Sequence, residues 1–188
     1  MIVKTYLAQY PARNNLFIDV GGHVGTTSLP YSRLFKNVIA FEPNPVSYDL
    51  FKQSISRNNI TNIEVHNKGV YHKTTDCKIV KHGSNSGCYF IQECEKSADS
   101  ISVVRLDDLP IDQPVDFIKI DTEGSEYFVL QGASELISKY KPLINIETNT
   151  CSSQYFGYDK ERIFEFLRAL NYTVLDDDGN NPLFYCNE

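Results

Sequence analysis

Three carboxylates lie close together in the chain, directly after an apolar segment. The stretch FIKIDTEGSEYFVL, residues 117–130, carries Asp121, Glu123 and Glu126 between two apolar runs. Such a cluster has four chemical interpretations: ligands for a divalent cation, a general base, the acidic first turn of a helix, or a solvated turn. The rest of the sequence must decide among them.

A glycine-rich turn, GGHVG at 21–25, closely follows Asp19. Glycines let a backbone pass beneath a ligand at the start of a helix, although a tight turn without a ligand also explains them. The spacing is not that of a dinucleotide site, G-x-G-x-x-G, and the carboxylate of Asp19 would repel a pyrophosphate. The acid favours a cofactor with positive charge and no phosphate, such as S-adenosylmethionine.

Two further polar residues come after apolar segments that read as strands. Glu42 lies about one βαβ half beyond Asp19, where an acid suits hydrogen bonds to ribose hydroxyls. NAD and S-adenosylmethionine both carry a ribose, so Glu42 indicates a nucleoside without identifying it, and an acid in a surface turn is the alternative. Asn67 is a candidate for the adenine amino group, or an ordinary turn residue.

Strand-like and helix-like segments alternate along most of the chain. Predicted strands cover 15–20, 37–43, 62–70, 115–121 and 142–148; predicted helices cover 26–35, 46–59, 125–140 and 159–170. Segments 172–177 and 182–187 form a closing hairpin, and the polar region 73–105 is an inserted hairpin or loop near the site. The order predicts one α/β domain over 1–188, with a mostly parallel sheet and helices on both faces. Ligands of such sheets bind beyond the carboxyl ends of the strands.

The composition excludes several classes of protein. A formal net charge of -6 argues against a nucleic-acid partner, which needs clustered basic residues. The five cysteines form no CxxC pair, which fits free thiols in a reducing cytoplasm. No apolar run has the length of a membrane span.

Several motifs together resemble the FkbM-type methyltransferases. The matching blocks are FIDVGGHVGTTSL, AFEPNP, VVRLDDL and VDFIKIDTEGSEYFVLQGASELISKYKPLINIE, in order from about residue 16 to 148. The resemblance implies a class I, Rossmann-like fold with a seven-stranded sheet and S-adenosylmethionine as cofactor. Members mostly methylate hydroxyl oxygens, often on sugars of glycolipids, polysaccharides or secondary metabolites, and such domains are often fused to glycosyltransferases.

The resemblance also implies a set of cofactor-binding residues. They are Asp19, Gly21, Gly22, Gly25, Glu42, Pro43, Asn44, Asn67 and Asp121. The chain departs from the family at two places: it has Gly22 and His23 where Ala and Asn are frequent, and Tyr71 and His72 where Ser and Asp are frequent. The second departure lies in the region expected to face adenine.

Methylation of a sugar hydroxyl requires a general base, because the hydroxyl is a poor nucleophile near neutral pH. Asp121 is the first candidate, since it ends the predicted central strand; Glu123 and Glu147 follow. His82, in the loop KHGSNSG, has a suitable ordinary pKa, although a solvated loop histidine is the simpler interpretation. Asp121, Glu123 and Glu147 also offer oxygen ligands for Mg²⁺ or Ca²⁺, but the resemblance does not require a metal and none is predicted.

The predicted function is therefore an S-adenosylmethionine-dependent O-methyltransferase. The predicted acceptor is a sugar hydroxyl in a glycan or glycoconjugate, with a deoxyhexose such as rhamnose favoured. Alternatives are a non-catalytic or differently specific nucleoside-binding domain and a small-molecule O-methyltransferase of secondary metabolism. A NAD-dependent oxidoreductase is disfavoured by Asp19 and by the absence of G-x-G-x-x-G.

Overall fold

The fold is given by a computed structural model, which describes residues 13–81, 89–148 and 155–187. These residues form a seven-stranded sheet, a smaller four-stranded sheet and a set of helices. No helix among the described residues combines the length and the apolar character that crossing a membrane requires.

The large sheet has the mixed architecture that the alternation of segments predicts. Its strands are β1 (Leu16–Val20), β2 (Asn37–Phe41), β3 (Ile63–His66), β8 (Val115–Ile120), β9 (Leu143–Ile146), β10 (Tyr172–Asp176) and β11 (Leu183–Cys186). Their order is β10-β11-β9-β8-β1-β2-β3. The five strands from β9 to β3 run parallel, whereas β11 is antiparallel to β9 and to β10 at the edge. The predicted fold class is thereby confirmed.

The small sheet occupies the region between the third and fourth parallel strands of the chain. It contains β4 (Gly69–Val70), β5 (Thr75–Lys81), β6 (Tyr89–Glu93) and β7 (Ile101–Val104), in the order β4-β7-β5-β6. The antiparallel pair β5–β6 lies within the predicted insertion 73–105. The predicted strand 62–70 is wrong in one respect, because it divides into β3 and β4, which belong to different sheets.

The helices are shorter than the sequence pattern predicts. They are α1 (Ser28–Tyr31), α2 (Pro45–Arg57), α3 (Glu126–Gln131), α4 (Ser134–Tyr140) and α5 (Lys160–Ala169). Only one turn of the predicted helix 26–35 forms, because the carbonyl oxygens of Ser32 and Phe35 accept hydrogen bonds from Asn62 Nδ2 instead of from a continuing helix. The predicted helix 125–140 is two helices, since Ala133 adopts φ −121° and ψ 9° between them.

A β-bulge sets the register of the two central strands. Leu16 lies opposite Val115 and Phe17 opposite Phe117, so Asp116 is an extra residue in β8. The carboxylate of Asp116 is buried and accepts hydrogen bonds from the backbone N–H and the side-chain amide of Asn15, at 2.6 and 2.9 Å. Beyond the bulge the strands pair regularly.

Both faces of the large sheet are apolar. On one face Phe17 stacks on Phe117 with ring centroids 4.9 Å apart, and Phe35 packs over both. On the other face, alternate residues of β1, β8 and β9 pack with apolar residues of α3, α4 and α5. Two covered faces fix the strands rigidly, so their carboxyl ends hold side chains at defined positions.

Candidate functional site

A cavity lies at the carboxyl edge of the parallel strands. It is lined by the ends of β1, β2 and β8, by the loop after β8, and by two elements of the small sheet, β4 and the β5–β6 hairpin. Of the predicted site residues, it brings together Gly21, Gly22, Glu42, Pro43, Asn44, Asp121 and Glu123. Among the lining residues that the structure describes, Lys119 is the only lysine or arginine.

The glycine turn forms the floor of the cavity. The N–H groups of Gly21 and Gly22 both donate to the carbonyl oxygen of Phe41, at 3.0 Å, which ties the turn to the end of β2. Gly21 has φ +83°, and a Cβ there would lie 1.7 Å from the carbonyl oxygen of Asp121. The predicted role of the glycines, a bare backbone close to a ligand, fits this geometry.

Phe51 of α2 packs beneath the same turn. A Cβ on Gly22 would lie 2.9 Å from the Phe51 ring, and a Cβ on Gly25 would lie 2.5 Å from it. Gly25 also has φ +91° and does not line the cavity. Gly25 therefore shapes the turn from below, and direct contact between Gly25 and a cofactor stays a prediction.

The carboxylate of Glu42 is held in the cavity wall by two backbone groups. It is 7% exposed, and it accepts hydrogen bonds from the N–H groups of His23 and Asn44, each at 2.8 Å. Burial raises the pKa of Glu42, and the two N–H donors oppose that rise. A fixed acceptor of this kind fits the predicted contact with ribose hydroxyls.

Asn44 and Asn67 hold the loop that carries Glu42. Asn44 caps α2, because its Oδ1 accepts from the N–H groups of Val46 and Ser47. Asn67 Nδ2 donates to the carbonyl oxygens of Glu42 and Pro43, at 2.9 and 3.0 Å. Asn67 is not among the cavity-lining residues, so its contact with adenine stays a prediction.

Asp19 lies beneath the site and is completely buried. Its Oδ2 accepts from Ser28 Oγ at 2.6 Å, while its Oδ1 accepts no hydrogen bond from the described residues and lies 3.9 Å from Lys119 Nζ. Burial raises the pKa of Asp19, and Lys119 opposes the rise. The predicted direct contact between Asp19 and the cofactor stays a prediction.

The three predicted catalytic carboxylates that the structure describes lie together. Asp121, Glu123 and Glu147 each place an oxygen within 4.8 Å of the others. Lys119 Nζ contacts Asp121 Oδ2 at 2.8 Å, so the protein itself supplies one positive charge to the cluster. Oxygens at this spacing are also a possible ligand set for a hard cation, as the sequence indicated. His82 lies outside the described residues.

Glu126 is separate from this cluster, although the sequence places it beside Asp121 and Glu123. It lies in the first turn of α3, as expected for the acidic start of a helix. Its buried side chain accepts from the N–H groups of Thr122 and Gly124, both at 2.9 Å. Glu126 therefore holds the shape of the loop that carries the cluster.

Sequence reasoning missed Lys119 and Tyr158, which hold the carboxylate of Asp121 and the loop after β8. Tyr158 donates its hydroxyl to the carbonyl oxygen of Gly124 at 2.5 Å and accepts from the N–H of Tyr127. No motif marks Tyr158, because it reaches the loop from a distant part of the chain. Lys119 had a signal in the sequence: it is the one charged residue between the apolar residues Phe117 and Ile120.

The groups that line the cavity fit S-adenosylmethionine. A bare glycine turn, a fixed carboxylate at Glu42 and an excess of acids suit a nucleoside attached to a positively charged group. A pyrophosphate would face these acids with only Lys119 as a cationic partner among the described lining residues.

Comparison with known proteins agrees with this geometry. The family model described as "Methyltransferase FkbM domain" matches residues 19–174. A crystal structure of an FkbM methyltransferase from Methylobacillus flagellatus superposes with a TM-score of 0.68 at 23% identity, covering 92% of this chain and 44% of the other. The Streptococcus mutans protein SMU.1697c, solved in complex with SAH, gives a TM-score of 0.57 at 13% identity and covers 92% and 88% of the two chains.

Two curated proteins also match. "Methyltransferase 1" of Beauveria bassiana is 24% identical over 180 residues, covering 81% of this chain and 71% of its own. A protein of Methanosphaera stadtmanae described as a probable ribosomal RNA small subunit methyltransferase A is 38% identical over 52 residues. That match covers 28% of this chain and only 19% of the relative. The family model, which matches most of the chain, is decisive: this chain belongs to the FkbM-domain family of S-adenosylmethionine-dependent methyltransferases.

Proposed function

We propose that the protein transfers a methyl group from S-adenosylmethionine to a hydroxyl oxygen of a sugar, with a deoxyhexose such as rhamnose as the favoured acceptor. The observation that carries the proposal is the position of Asp121, Glu123 and Glu147, whose carboxyl oxygens lie within 4.8 Å of one another, with Asp121 and Glu123 lining the cavity beside the glycine turn. A hydroxyl acceptor needs a base at this place, whereas an already nucleophilic acceptor does not.

The chain's own residues perform three tasks in this proposal. The glycine turn and Glu42 bind and orient the cofactor, which when bound supplies an activated methyl group. Asp121 accepts the proton of the acceptor hydroxyl, and Lys119 holds the Asp121 carboxylate at 2.8 Å. Glu126 and Tyr158 keep the loop after β8 in place, so the carboxylates keep their positions during the reaction.

The walls of the cavity support a neutral acceptor with both polar and apolar faces. Carboxylates lie on one side, and Ile79, Tyr89, Phe90 and Ile91 of the β5–β6 hairpin line another. A sugar with a methyl substituent has hydroxyls for the first side and an apolar face for the second. A polyanion such as RNA would meet carboxylates and a chain with a formal net charge of -6.

Two measurements test the proposal. Isothermal titration with S-adenosylmethionine should show binding, and its absence at about millimolar cofactor would refute the first half. Methyl transfer should then be measured on a panel of rhamnosides, fucosides and hexosides, with small RNA hairpins and catechols as competing acceptors. Transfer to RNA or catechols alone would refute a sugar acceptor, and binding without transfer to any acceptor would favour a non-catalytic nucleoside-binding domain.

An Asp121→Asn variant separates binding from chemistry. We expect it to bind the cofactor while transferring methyl groups roughly 100-fold more slowly or worse, because the amide cannot accept the proton. Glu95→Gln is the matched control, since Glu95 is an exposed residue that does not line the cavity. Normal activity of Asp121→Asn would remove Asp121 as the base.

A further inference from the structure

A second cavity adjoins the loop that carries the carboxylates. It has a volume of about 340 Å³ and is lined mainly by aromatic rings, those of Tyr127, Phe128, Phe156 and Tyr158, with Asp159 and Arg162 beside them. The hydroxyl of Tyr158 donates to the carbonyl oxygen of Gly124 at 2.5 Å, and the two neighbours of Gly124 in the chain line the first cavity. The loop after β8 therefore borders both cavities.

A row of aromatic rings leads from the first cavity to the second. Phe90 of β6 lines the first cavity. Its ring centroid lies 4.4 Å from that of Tyr155, which is 37% exposed, and 5.9 Å from that of Phe156. Phe156 lies 5.7 Å from Phe128, and both line the second cavity. A ligand bound in the first cavity can therefore extend along aromatic surface into the second.

The orientation of the rings in the second cavity suits a puckered ligand. The planes of Tyr127 and Tyr158 meet at 51°, and those of Phe128 and Tyr158 meet at 83°. A flat aromatic ligand binds best in an offset stack on a parallel ring face, and tilted rings cannot sandwich it. A saturated sugar ring directs its C–H groups to several sides, so it can contact rings that lie at different angles.

The charged groups beside these rings suit a neutral ligand with hydroxyls. Among the lining residues that the structure describes, the charged ones are Asp159 and Arg162, one of each sign. Both are exposed, and the Arg162 guanidinium lies 5.3 Å from the centre of the Tyr127 ring. A carboxylate accepts hydrogen bonds and a guanidinium donates them, so sugar hydroxyls can bind to both. The charge of an ionic ligand would be opposed by one of the two groups.

We propose that the second cavity binds the next sugar of a glycan acceptor, while the sugar that is methylated lies beside Asp121. The acceptor is then an oligosaccharide or a glycoconjugate with at least two neutral sugars, and not a monosaccharide or a nucleotide-linked sugar. This inference rests on the proposed function, which supplies the sugar acceptor. Contacts with the second sugar are remote from the reacting atoms, and their binding energy orients the hydroxyl for transfer.

The length of the acceptor tests the second subsite. Methyl rhamnoside, a rhamnose disaccharide and a rhamnose trisaccharide are compared in the methyl-transfer assay. We expect kcat/KM to be roughly 10-fold higher or more for the disaccharide than for methyl rhamnoside, with little further gain for the trisaccharide. Equal values for the first two acceptors would refute the second subsite alone. Absence of transfer to every saccharide would refute the proposed function.

A Phe156→Leu variant removes the ring and keeps an apolar side chain. We expect the disaccharide to lose most of its advantage, while kcat/KM for methyl rhamnoside stays within about threefold of the wild type. Phe164→Leu is the matched control, because Phe164 is also partly buried, packs on Phe184 at 5.1 Å and lines neither cavity. If Phe156→Leu lowers kcat/KM equally for both acceptors, or if the control loses the same advantage, the subsite is refuted.

Binding can also be measured in the wild type without turnover. In protein labelled with carbon-13 in its phenylalanine and tyrosine rings and saturated with S-adenosylhomocysteine, the disaccharide should shift the ring resonances of Phe156 and Tyr158, and methyl rhamnoside should not. Such shifts without methyl transfer to any saccharide would support the subsite and refute the proposed function. No shift with a methylated disaccharide would refute the subsite, even if the variant does not fold. Shifts caused by protein concentration alone would assign the cavity to a second copy of the chain and also refute it.

Discussion

The carbonyl oxygen of Asp121 occupies the space that a side chain on Gly21 would require. A Cβ on Gly21 would lie 1.7 Å from that oxygen, and the N–H of Asp121 donates to the carbonyl oxygen of Val20 at 3.0 Å. The glycine turn and the acidic loop are therefore built directly against each other. A change in either one moves the other.

Gly21→Ala should destabilise the protein and abolish cofactor binding. The new methyl group would overlap backbone, which cannot move as a flexible side chain would, and the residue has φ +83°. We expect a loss of at least about 3 kcal/mol in the free energy of unfolding, measured by urea denaturation. Gly179→Ala is the control, because Gly179 has φ +96° and nothing within 4 Å. It should lose only about 1–2 kcal/mol, from backbone strain alone.

Phe51→Ala should destabilise the turn from below. Phe51 is fully buried and packs against Gly22 and Gly25. Removing a buried ring costs about 3–5 kcal/mol, which chemical denaturation will measure. Leu50→Ala changes the neighbouring residue on α2, whose side chain is 46% exposed, and should cost less than about 1 kcal/mol. Equal losses in the two variants would contradict the packing of Phe51 beneath the glycine turn.

Glu42→Gln should weaken cofactor binding while leaving the fold intact. Each carboxylate oxygen accepts one backbone N–H, from His23 or from Asn44, and the amide of glutamine retains only one acceptor oxygen. A buried N–H without an acceptor costs about 1–3 kcal/mol in the free energy of unfolding. The neutral amide is also a weaker acceptor for ribose hydroxyls than the carboxylate, so we expect roughly 10- to 100-fold weaker binding by titration calorimetry. Glu64→Gln, at a side chain that is 69% exposed, should bind normally. Unchanged affinity in Glu42→Gln would mean that Glu42 has no part in binding.

Tyr158→Phe should loosen the acidic loop. Its hydroxyl donates to Gly124 and accepts from Tyr127, so its removal leaves two backbone groups without that partner. We expect a loss of about 1–3 kcal/mol and faster amide hydrogen exchange at residues 122–126. Tyr48→Phe on α2 is the control and should leave exchange in this loop unchanged. Unaltered exchange in Tyr158→Phe would show that Glu126 alone holds the loop.

The sequence allowed most strands of the large sheet to be predicted, because a strand depends on local pattern. Apolar strands that are directly followed by Glu42 or Asp121, or that contain Asp19 next to the last residue, are visible as short motifs, and their order along the chain implies the parallel sheet. The split of the predicted helix 125–140 was not visible. It depends on tertiary contact, since a Cβ on Gly132 would lie 2.1 Å from the carbonyl oxygen of Tyr71.

Residues that act on the loop from a distance also escaped prediction. Tyr158 contacts Gly124 across 34 positions of sequence, and no spacing rule connects them. Glu126 falls in the first turn of the predicted helix 125–140, but the hydrogen bonds that its carboxylate accepts from the N–H groups of Thr122 and Gly124 depend on the loop folding back on it. The hydrogen bond from the Asn67 amide to the carbonyl oxygen of Glu42 likewise had no sequence signal, while the contact of Asn67 with adenine stays a prediction.

The bulge at Asp116 determines which residues of β1 and β8 lie opposite each other. Without the bulge, Phe17 would face Asp116, and Asp19 would face Ile118 instead of Lys119. The Lys119 ammonium and the buried Asp19 carboxylate would then project to opposite faces of the sheet and would not lie close to each other. In the bulged alignment Asn15 donates two hydrogen bonds to Asp116. The alignment at Asp116, near the start of β8, thus determines whether Lys119, near its end, lies opposite Asp19.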